Sequence, residues 1–552
     1  MKTVIVGGVA GGASAAARLR RLDEHAEIII FERGEYVSFA NCGLPYYIGG
    51  IIEDREDLTL QTPESFKARF NIDVRLQSEV VAIDTAAKTV TVKTAAGETY
   101  TESYDKLILA PGAKPVVPNI PGVDSALVFT LRNIPDSQKI KDYIKVGKPK
   151  SAAIVGGGYI GVELAENLAL AGLHVTVVEL SDHLIAPLDF EMAVDVHNYI
   201  RSKGIKLILN NGVSAIEETD EGITAVLQNG KIKADMVIMA VGVRPDTEFV
   251  RASGIETNSR GQIIVDERMR TNVPDVWAVG DAVEVVDFVT GAPSFIPLAG
   301  PANRQGRIAA DNIAGIDSTY DGTQGSAVLK IFDMTVATSG INERTAQAAG
   351  IDYDKTYIYS ASHATYYPGA MNMSIKAIWD KKTHKLLGAQ IVGSEGVDKR
   401  MDVLATAMRL GAKITDLTKL ELCYAPPYGS AKDPVNMLGF VAENVITGKT
   451  GQFFWDEVDS LPRDGSVTLL DVRTAAEVRR GKIEGFMHIP LDSLRERIDE
   501  IPKGKPVYVH CHSGLRSYIA CRILAGHGFE CYNLAGGWRL YAAAIKEKGM
   551  LS

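Results

Sequence analysis

Two of the five cysteines in this 552-residue chain sit among residues that could make a thiol react. The first is Cys42, in Ser38-Phe39-Ala40-Asn41-Cys42-Gly43-Leu44-Pro45-Tyr46. Gly43 and Pro45 suit a tight turn that exposes a side chain. An exposed thiolate is a nucleophile that can cycle through a mixed disulfide, a sulfenate or a persulfide. The second is Cys511, which opens the loop Cys511-His512-Ser513-Gly514-Leu515-Arg516-Ser517 after the apolar strand Val507-Tyr508-Val509. A Cys-based phosphatase needs its Arg one position later, where Ser517 stands, because its loop must wrap a tetrahedral phosphate. The shorter ring suits a single sulfur atom, with successive backbone N–H groups holding a persulfide anion. Cys521 and Cys531 fall in a helix and a strand and read as packing residues, the commonest use of an isolated cysteine. Cys423, beside Tyr424, is assigned no redox role.

The elements that must position Cys42 are two glycine-rich strand-turn-helix units. Residues 2 to 6 form a strand, Gly7 to Gly12 a glycine turn (Gly7, Gly8, Gly11, Gly12), Ala13 to Leu22 a helix, and Glu27 to Phe31 a strand ending at Glu32. Glycines let backbone N–H groups approach a pyrophosphate at the helix N-terminus, and an acid about 20 residues on accepts from a ribose hydroxyl. Val9 occupies the place of the second glycine. The second unit is complete: strand Ala152 to Val155, Gly156-Gly157-Gly158-Tyr159-Ile160-Gly161, helix Val162 to Ala171, and Val175 to Val178 ending at Glu179. No Arg or Lys follows in Leu180-Ser181-Asp182-His183, so NADH is favoured over NADPH: a carboxylate bonds the 2′-hydroxyl but repels a 2′-phosphate.

Between and after these units, Tyr104 to Ala113 reads as a strand running into a Pro-Gly turn, and Pro115, Pro118 and Pro121 mark a crossover. Asp235 to Gly242 is another strand, and Thr271 to Asp281 ends in Gly280-Asp281. The fold class is α/β, with two Rossmann-like dinucleotide-binding domains, a region that resembles the α+β interface domain of flavoproteins built from two such domains, and a C-terminal small α/β domain. The expected boundaries are 1–120 with 245–322, then 121–244, 323–446, a linker at 447–464, and 465–552.

A formal net charge of -9 argues against a nucleic-acid or anionic-membrane partner. Five sparse cysteines do not form a disulfide framework and fit a reducing cytoplasm. The N-terminal apolar stretch reads as a strand and phosphate turn rather than a signal peptide, and no apolar run reaches the ~18 residues of a membrane span.

At Ser38 to Tyr46 the chain resembles the coenzyme A disulfide reductase branch of the single-cysteine pyridine nucleotide-disulfide oxidoreductases, and residues 461 to 552 resemble a rhodanese domain. The resemblance implies FAD, a nicotinamide donor, a homodimer, and a coenzyme A-linked disulfide or persulfide as substrate, with no metal. For FAD it implies Gly7, Gly8, Gly11, Gly12, Glu32, Arg33, Ala110, Gly280, Asp281 and Ala299, with Asp281 on the ribitol chain. For NAD it implies Gly156, Gly158, Gly161, Glu179 and Gly242. Ser14, Arg18, Arg21, Ser38, Asn41, Asn303 and Lys432 match substrate-contacting positions, with Lys67 a weaker candidate. A further contact position holds Phe70. Tyr424 and Tyr366 match tyrosines that reach across a dimer toward the thiol and flavin, and Arg516 belongs to the Cys511 loop. Lys482 and Met487 depart from common rhodanese residues. Two-cysteine relatives carry a second Cys five positions on, where this chain has Tyr47, and their His-Glu base is absent from Cys423 to Asp433. NADH peroxidases and oxidases place a His where Ala10 stands. A depressed Cys42 pKa is expected. The rival readings are an NADH oxidase or peroxidase acting through a Cys42 sulfenate, and a sulfur-carrier or redox-sensor module.

Overall fold

The structure, a computed structural model, describes residues 1–219 and 222–551. It falls into two units, Met1–Leu180 with Gly204–Gly325, and Ser181–Lys203 with the chain from Ser326 onward. In the first unit the opening elements are β1 (Lys2–Val6), α1 (Ala10–Leu22), β2 (Glu27–Phe31), a short α2 (Leu44–Ile48), α3 (Pro63–Phe70), β3 (Asp73–Arg75) and β4 (Lys106–Leu109). A second set follows: β5 (Val128–Phe129), β6 (Ser151–Val155), α4 (Tyr159–Leu170), β7 (His174–Val178), β8 (Lys206–Ile208) and β9 (Met236–Met239). The chain then returns through β10 (Val276–Ala278) and α5 (Ala299–Ile313).

The strands form two parallel five-stranded sheets, ordered β10-β4-β1-β2-β3 and β8-β7-β6-β9-β5. Continuous apolar runs such as Val4-Ile5-Val6 and Ile28 to Phe31 are buried throughout, as strands covered on both faces must be. Each helix begins about three residues earlier than the sequence reading placed it, so Gly11, Gly12 and Gly161 are helical. The reason is contact: a Cβ on Gly12 would lie 1.9 Å from the Gly7 carbonyl oxygen, and one on Gly161 2.0 Å from that of Gly156. The first and third glycines therefore serve helix-on-strand packing.

The second unit contains an antiparallel sheet of β11 (Ala327–Ile331), β12 (Met334–Gly340), β13 (Tyr353–Ala361), β14 (Asn372–Asp380) and β15 (Leu386–Gly393), ordered β11-β12-β15-β14-β13, with helices α6 (Val397–Arg409) and α7 (Pro434–Ile446). The helix Phe190–Ser202 belongs here, although chain order assigned it to the second nucleotide-binding region. Lys376, fully buried, explains the grouping: its ammonium meets Asp189 at 2.6 Å, Glu191 at 2.5 Å, and Glu343.

A final parallel sheet has β16 (Gly451–Phe453), β17 (Thr468–Asp471), β18 (Met487–His488), β19 (Val507–His510) and β20 (Cys531–Leu534) in the order β16-β20-β19-β17-β18. It carries helices α8 (Ala475–Arg479), α9 (Leu515–Gly526) and α10 (Gly537–Leu551). The expected linker at 447–464 is a correction: Gly451–Phe453 pairs with Tyr532–Leu534 as an edge strand, and Trp455 and Val458 are buried. Its Pro and Asp-Gly signals marked only the turn at Pro462–Gly465. Among the described residues no helix is long and apolar enough to cross a membrane.

Candidate active site

Where β1 and β4 end, a cavity of about 810 Å³ opens, within the usual size range of ligand sites. Its walls include Gly7, Gly11, Glu32, Arg33, Ala110, Gly280 and Asp281. Gly7 (φ +95°) and Gly280 (φ +79°) hold backbone that other residues avoid. Val9 lines the cavity at the start of α1, whose first turn carries no side-chain cap and no acid. Uncapped N–H groups aimed at a cavity suit a pyrophosphate. The Asn41 Oδ1 atom is buried without a hydrogen-bond partner among the described residues. Glu32 is fixed by N–H groups of Gly8 (3.0 Å) and Gly34 (2.8 Å), and Arg33 pairs with Asp246. Burial pushes the Asp281 carboxyl up, against the pull of Arg132. These residues fit FAD. Three of the sequence candidates stand behind or beside the cavity. Gly8 is pressed toward Val37 and Gly12 toward Gly7. Ala299 starts α5, and Ala302, one turn on, is the residue that lines the wall.

The second glycine unit has a parallel logic. A Cβ on Gly156 or Gly161 would strike backbone oxygen, whereas one on Gly158 or Gly242 would meet nothing within 4 Å. At Gly158 the glycine is thus not demanded by the protein's own packing and leaves room for a ligand. Helix α4 starts there, uncapped and without an acid in its first turn. Glu179 accepts from the Gly157 N–H at 2.6 Å. The residues present fit a dinucleotide.

Cys42 lies in a single helical turn, Asn41–Gly43, and is exposed. The expected depressed pKa is a correction. Crowding by surrounding protein atoms pushes the thiol up, with further contributions from the Glu163 and Asp281 carboxylates. Glu163 escaped the sequence reading. It projects from α4, which packs against α2, and the Tyr46 hydroxyl donates to it at 3.4 Å. Burial above all, and Glu166 beside it, raise its carboxyl to about 7, in spite of the Tyr46 hydrogen bond. A carboxyl with that value stores and returns protons at neutral pH.

A second pocket, of about 370 Å³, is lined by Ser14, Arg18, Arg21, Ser38, Asn303 and Arg307, together with Phe66 and Phe70. One carboxylate, Asp311, meets Arg18 at 2.6 Å and Arg307 at 3.8 Å, so these three guanidinium groups outnumber it. Ser14 donates to Asn303. Arg307 was missed because it stands in α5, almost 300 residues from Arg18. Asn41 lines the first cavity instead, and Lys67 is tied to Asn71 (2.7 Å) at the end of α3. Tyr366, Tyr424 and Lys432 are on the second unit, all exposed. The two phenols share a hydrogen bond of 2.8 Å, and Tyr366 is 75% exposed. His363 is buried, edge-on to Tyr367.

Cys511 directly follows β19 with no exposed surface, and its Sγ accepts from the Gly514 N–H (3.1 Å) and the Ser517 hydroxyl (3.2 Å). Arg516 grips Glu477 with two hydrogen bonds, 2.8 and 2.6 Å. Behind the loop, Asp471 accepts from Arg473 (2.7 Å) and faces His510 (3.3 Å). Burial would raise the Asp471 carboxyl, but the facing His510 ring and the Arg473 hydrogen bonds prevail and hold it well below the usual carboxylate range.

Residues 1–306 match the pyridine nucleotide-disulphide oxidoreductase family, 326–434 its dimerisation domain, and 454–544 the rhodanese-like domain. The chain is 38% identical to the coenzyme A disulfide reductase of Staphylococcus aureus over 445 residues, 80% of this chain and all of that protein. It superimposes on reduced CoADR-RHD from Bacillus anthracis with a TM-score of 0.97, at 49% identity over 99% of this chain and 98% of the other. An NAD-dependent persulfide reductase from A. fulgidus gives 0.91 at 38% identity, over 98% of this chain and all of that one. The chain therefore belongs to the pyridine nucleotide-disulphide oxidoreductases, flavoenzymes that draw on a pyridine nucleotide, and carries that family's dimerisation domain and a C-terminal rhodanese-like domain.

Proposed function

We propose that the enzyme uses NADH to reduce coenzyme A persulfide or coenzyme A disulfide at Cys42, and that Cys511 carries sulfane sulfur to and from the same pool. The observation that carries this reading is the cationic pocket. Arg18, Arg21 and Arg307 against one carboxylate suit a ligand with a diphosphate and a 3′-phosphate, and Ser38 on its wall precedes Cys42 by four residues. Glu179 at the end of β7 favours NADH over NADPH.

Gly7, Gly11, Glu32, Arg33, Gly280 and Asp281 would hold FAD along the first cavity, where it would supply two electrons drawn from the nicotinamide. The Cys42 thiolate attacks the inner sulfur of a coenzyme A persulfide, forming a mixed disulfide with coenzyme A and releasing hydrosulfide; from the disulfide it releases coenzyme A thiolate instead. Two electrons and one proton then restore the Cys42 thiolate and free the second thiol. Glu163, hydrogen bonded to Tyr46, holds a proton for the departing thiolate. Asn41 and Asp281 orient the flavin side of the site. The matched dimerisation domain and the exposed Tyr366–Tyr424 pair support a homodimer in which those phenols serve the second copy. Unpaired, sparse cysteines suit a reducing cytoplasm.

The test is selectivity. The kcat/KM for coenzyme A persulfide or disulfide should exceed that for cystine, and Arg21→Ala should raise KM for the coenzyme A acceptors about tenfold, the effect of one lost charged hydrogen bond, while leaving cystine unchanged. Equal use of peroxide or cystine would overturn it.

A further inference from the structure

The mouth of the Cys511 loop contains cations, yet each is already answered. Arg516 spends two donors on Glu477, at 2.8 and 2.6 Å. Arg473 is held by Asp471 at 2.7 Å, and Arg539 faces Asp195 at 3.7 Å. These are the guanidinium groups that act on His512, within the loop, and His512 itself is held below the usual imidazole range, first by burial. Glu477 is also held from the other side. Its Oε2 also accepts from the Thr474 N–H (2.9 Å) and hydroxyl (2.8 Å), which cap α8. What remains for an anionic sulfur is a set of neutral donors, the Gly514 N–H and the Ser517 hydroxyl.

We propose that Glu477 determines the sulfur donor of Cys511. By neutralising Arg516 it excludes a dianionic donor such as thiosulfate and selects a low-molecular-weight thiol persulfide, R–S–SH. A dianion entering this loop meets the Glu477 carboxylate while Arg516, Arg473 and Arg539 are each already paired, whereas the protonated persulfide carries no charge on the transferred sulfur. The transfer balances as Cys511–S⁻ + R–S–SH → Cys511–S–S⁻ + R–SH. The S–S bond of the persulfide breaks, an S–S bond to Cys511 forms, the leaving thiolate takes the persulfide proton, and no net oxidation occurs. The exclusion rests on Cys511 being the sulfur carrier.

The test loads the full-length flavoprotein with cysteine persulfide or thiosulfate and follows the added sulfur on the Cys511 peptide by mass spectrometry. Wild type should load from persulfide at least tenfold faster than from thiosulfate. Glu477→Gln, which keeps the cap and frees Arg516, should raise the thiosulfate-to-persulfide ratio about tenfold, and Glu477→Asp should stay near wild type. Should Glu477→Gln fold poorly, added salt should speed thiosulfate loading of the wild type and leave persulfide loading flat, because screening weakens repulsion. Equal loading from both donors, or an unchanged ratio in Glu477→Gln, would overturn the donor assignment. No adduct on Cys511 from either donor would overturn the carrier reading itself.

Discussion

At Cys42 the charged groups acting on the thiol are acids, Glu163 and Asp281, and both are pushed up by burial. At Cys511 the surrounding charges are paired: Asp471 with Arg473, Glu477 with Arg516. One thiol is crowded and set beside a carboxyl that titrates near 7; the other is fully buried and receives two hydrogen bonds on its sulfur. The contrast matches the two roles proposed. A sulfur that is reduced in every cycle needs a proton source nearby, whereas a sulfur that only accepts and passes on an atom needs fixed donors that never titrate.

The largest expected break of this comparison is a double dissociation. Cys42→Ser should lower NADH-dependent reduction of coenzyme A persulfide by about 10³-fold or more, as loss of a nucleophile does, with flavin absorbance retained. Cys511→Ser should leave that rate within about threefold when coenzyme A persulfide is supplied directly. Next comes stability. Lys376→Met takes the cation from Asp189 and Glu191 and leaves Glu343 only Lys355, and should cost about 3–5 kcal/mol, read as a lowered melting temperature.

Glu163→Gln sharpens the contrast at Cys42. It removes a negative charge, so the alkylation pH midpoint of Cys42 should fall by about one unit, while the Cys511 profile stays put. The smallest effect is in the pH dependence of stability, where Glu163 in the first unit and three carboxyls in the second carry opposite signs. Glu163, raised to about 7, contributes stability below the ordinary carboxylate value that is lost as pH rises through about 7. Glu343, Glu477 and Glu547, each held at about 2, contribute stability above that ordinary value that is lost as pH falls toward 2. Hydrogen exchange followed separately in peptides of each unit reads this, and Glu163→Gln should flatten only the neutral-to-alkaline limb of the first.

What the sequence made legible was local. Both glycine units, the Cys42 turn and the Cys511 ring are set by spacings of a few residues, and short spacings dictate turns and helix starts directly. What it hid was distant. Tyr46 and Glu163 are 117 residues apart, and Arg516 lies 39 from Glu477. Arg307 reaches the Arg18 pocket only because α1 and α5 approach closely at Gly11 and Gly306, where a Cβ on Gly306 would be 2.3 Å from the Gly11 oxygen. Helix Phe190–Ser202 follows its buried charges to Lys376 and Glu547 rather than its place in the chain. The Cys42 pKa was misjudged because the expectation weighed cofactor and dipole and could not see the crowding of the thiol by protein atoms or, after it, the two acids.

The central claim, that Cys42 is the sulfur which exchanges with coenzyme A, is tested most directly by reacting the oxidised protein with coenzyme A disulfide and mapping the adduct by peptide mass spectrometry. A single coenzyme A on the Cys42 peptide, released by NADH, is the expected result. Coenzyme A found on Cys511 or Cys423, or on no cysteine at all, would contradict it.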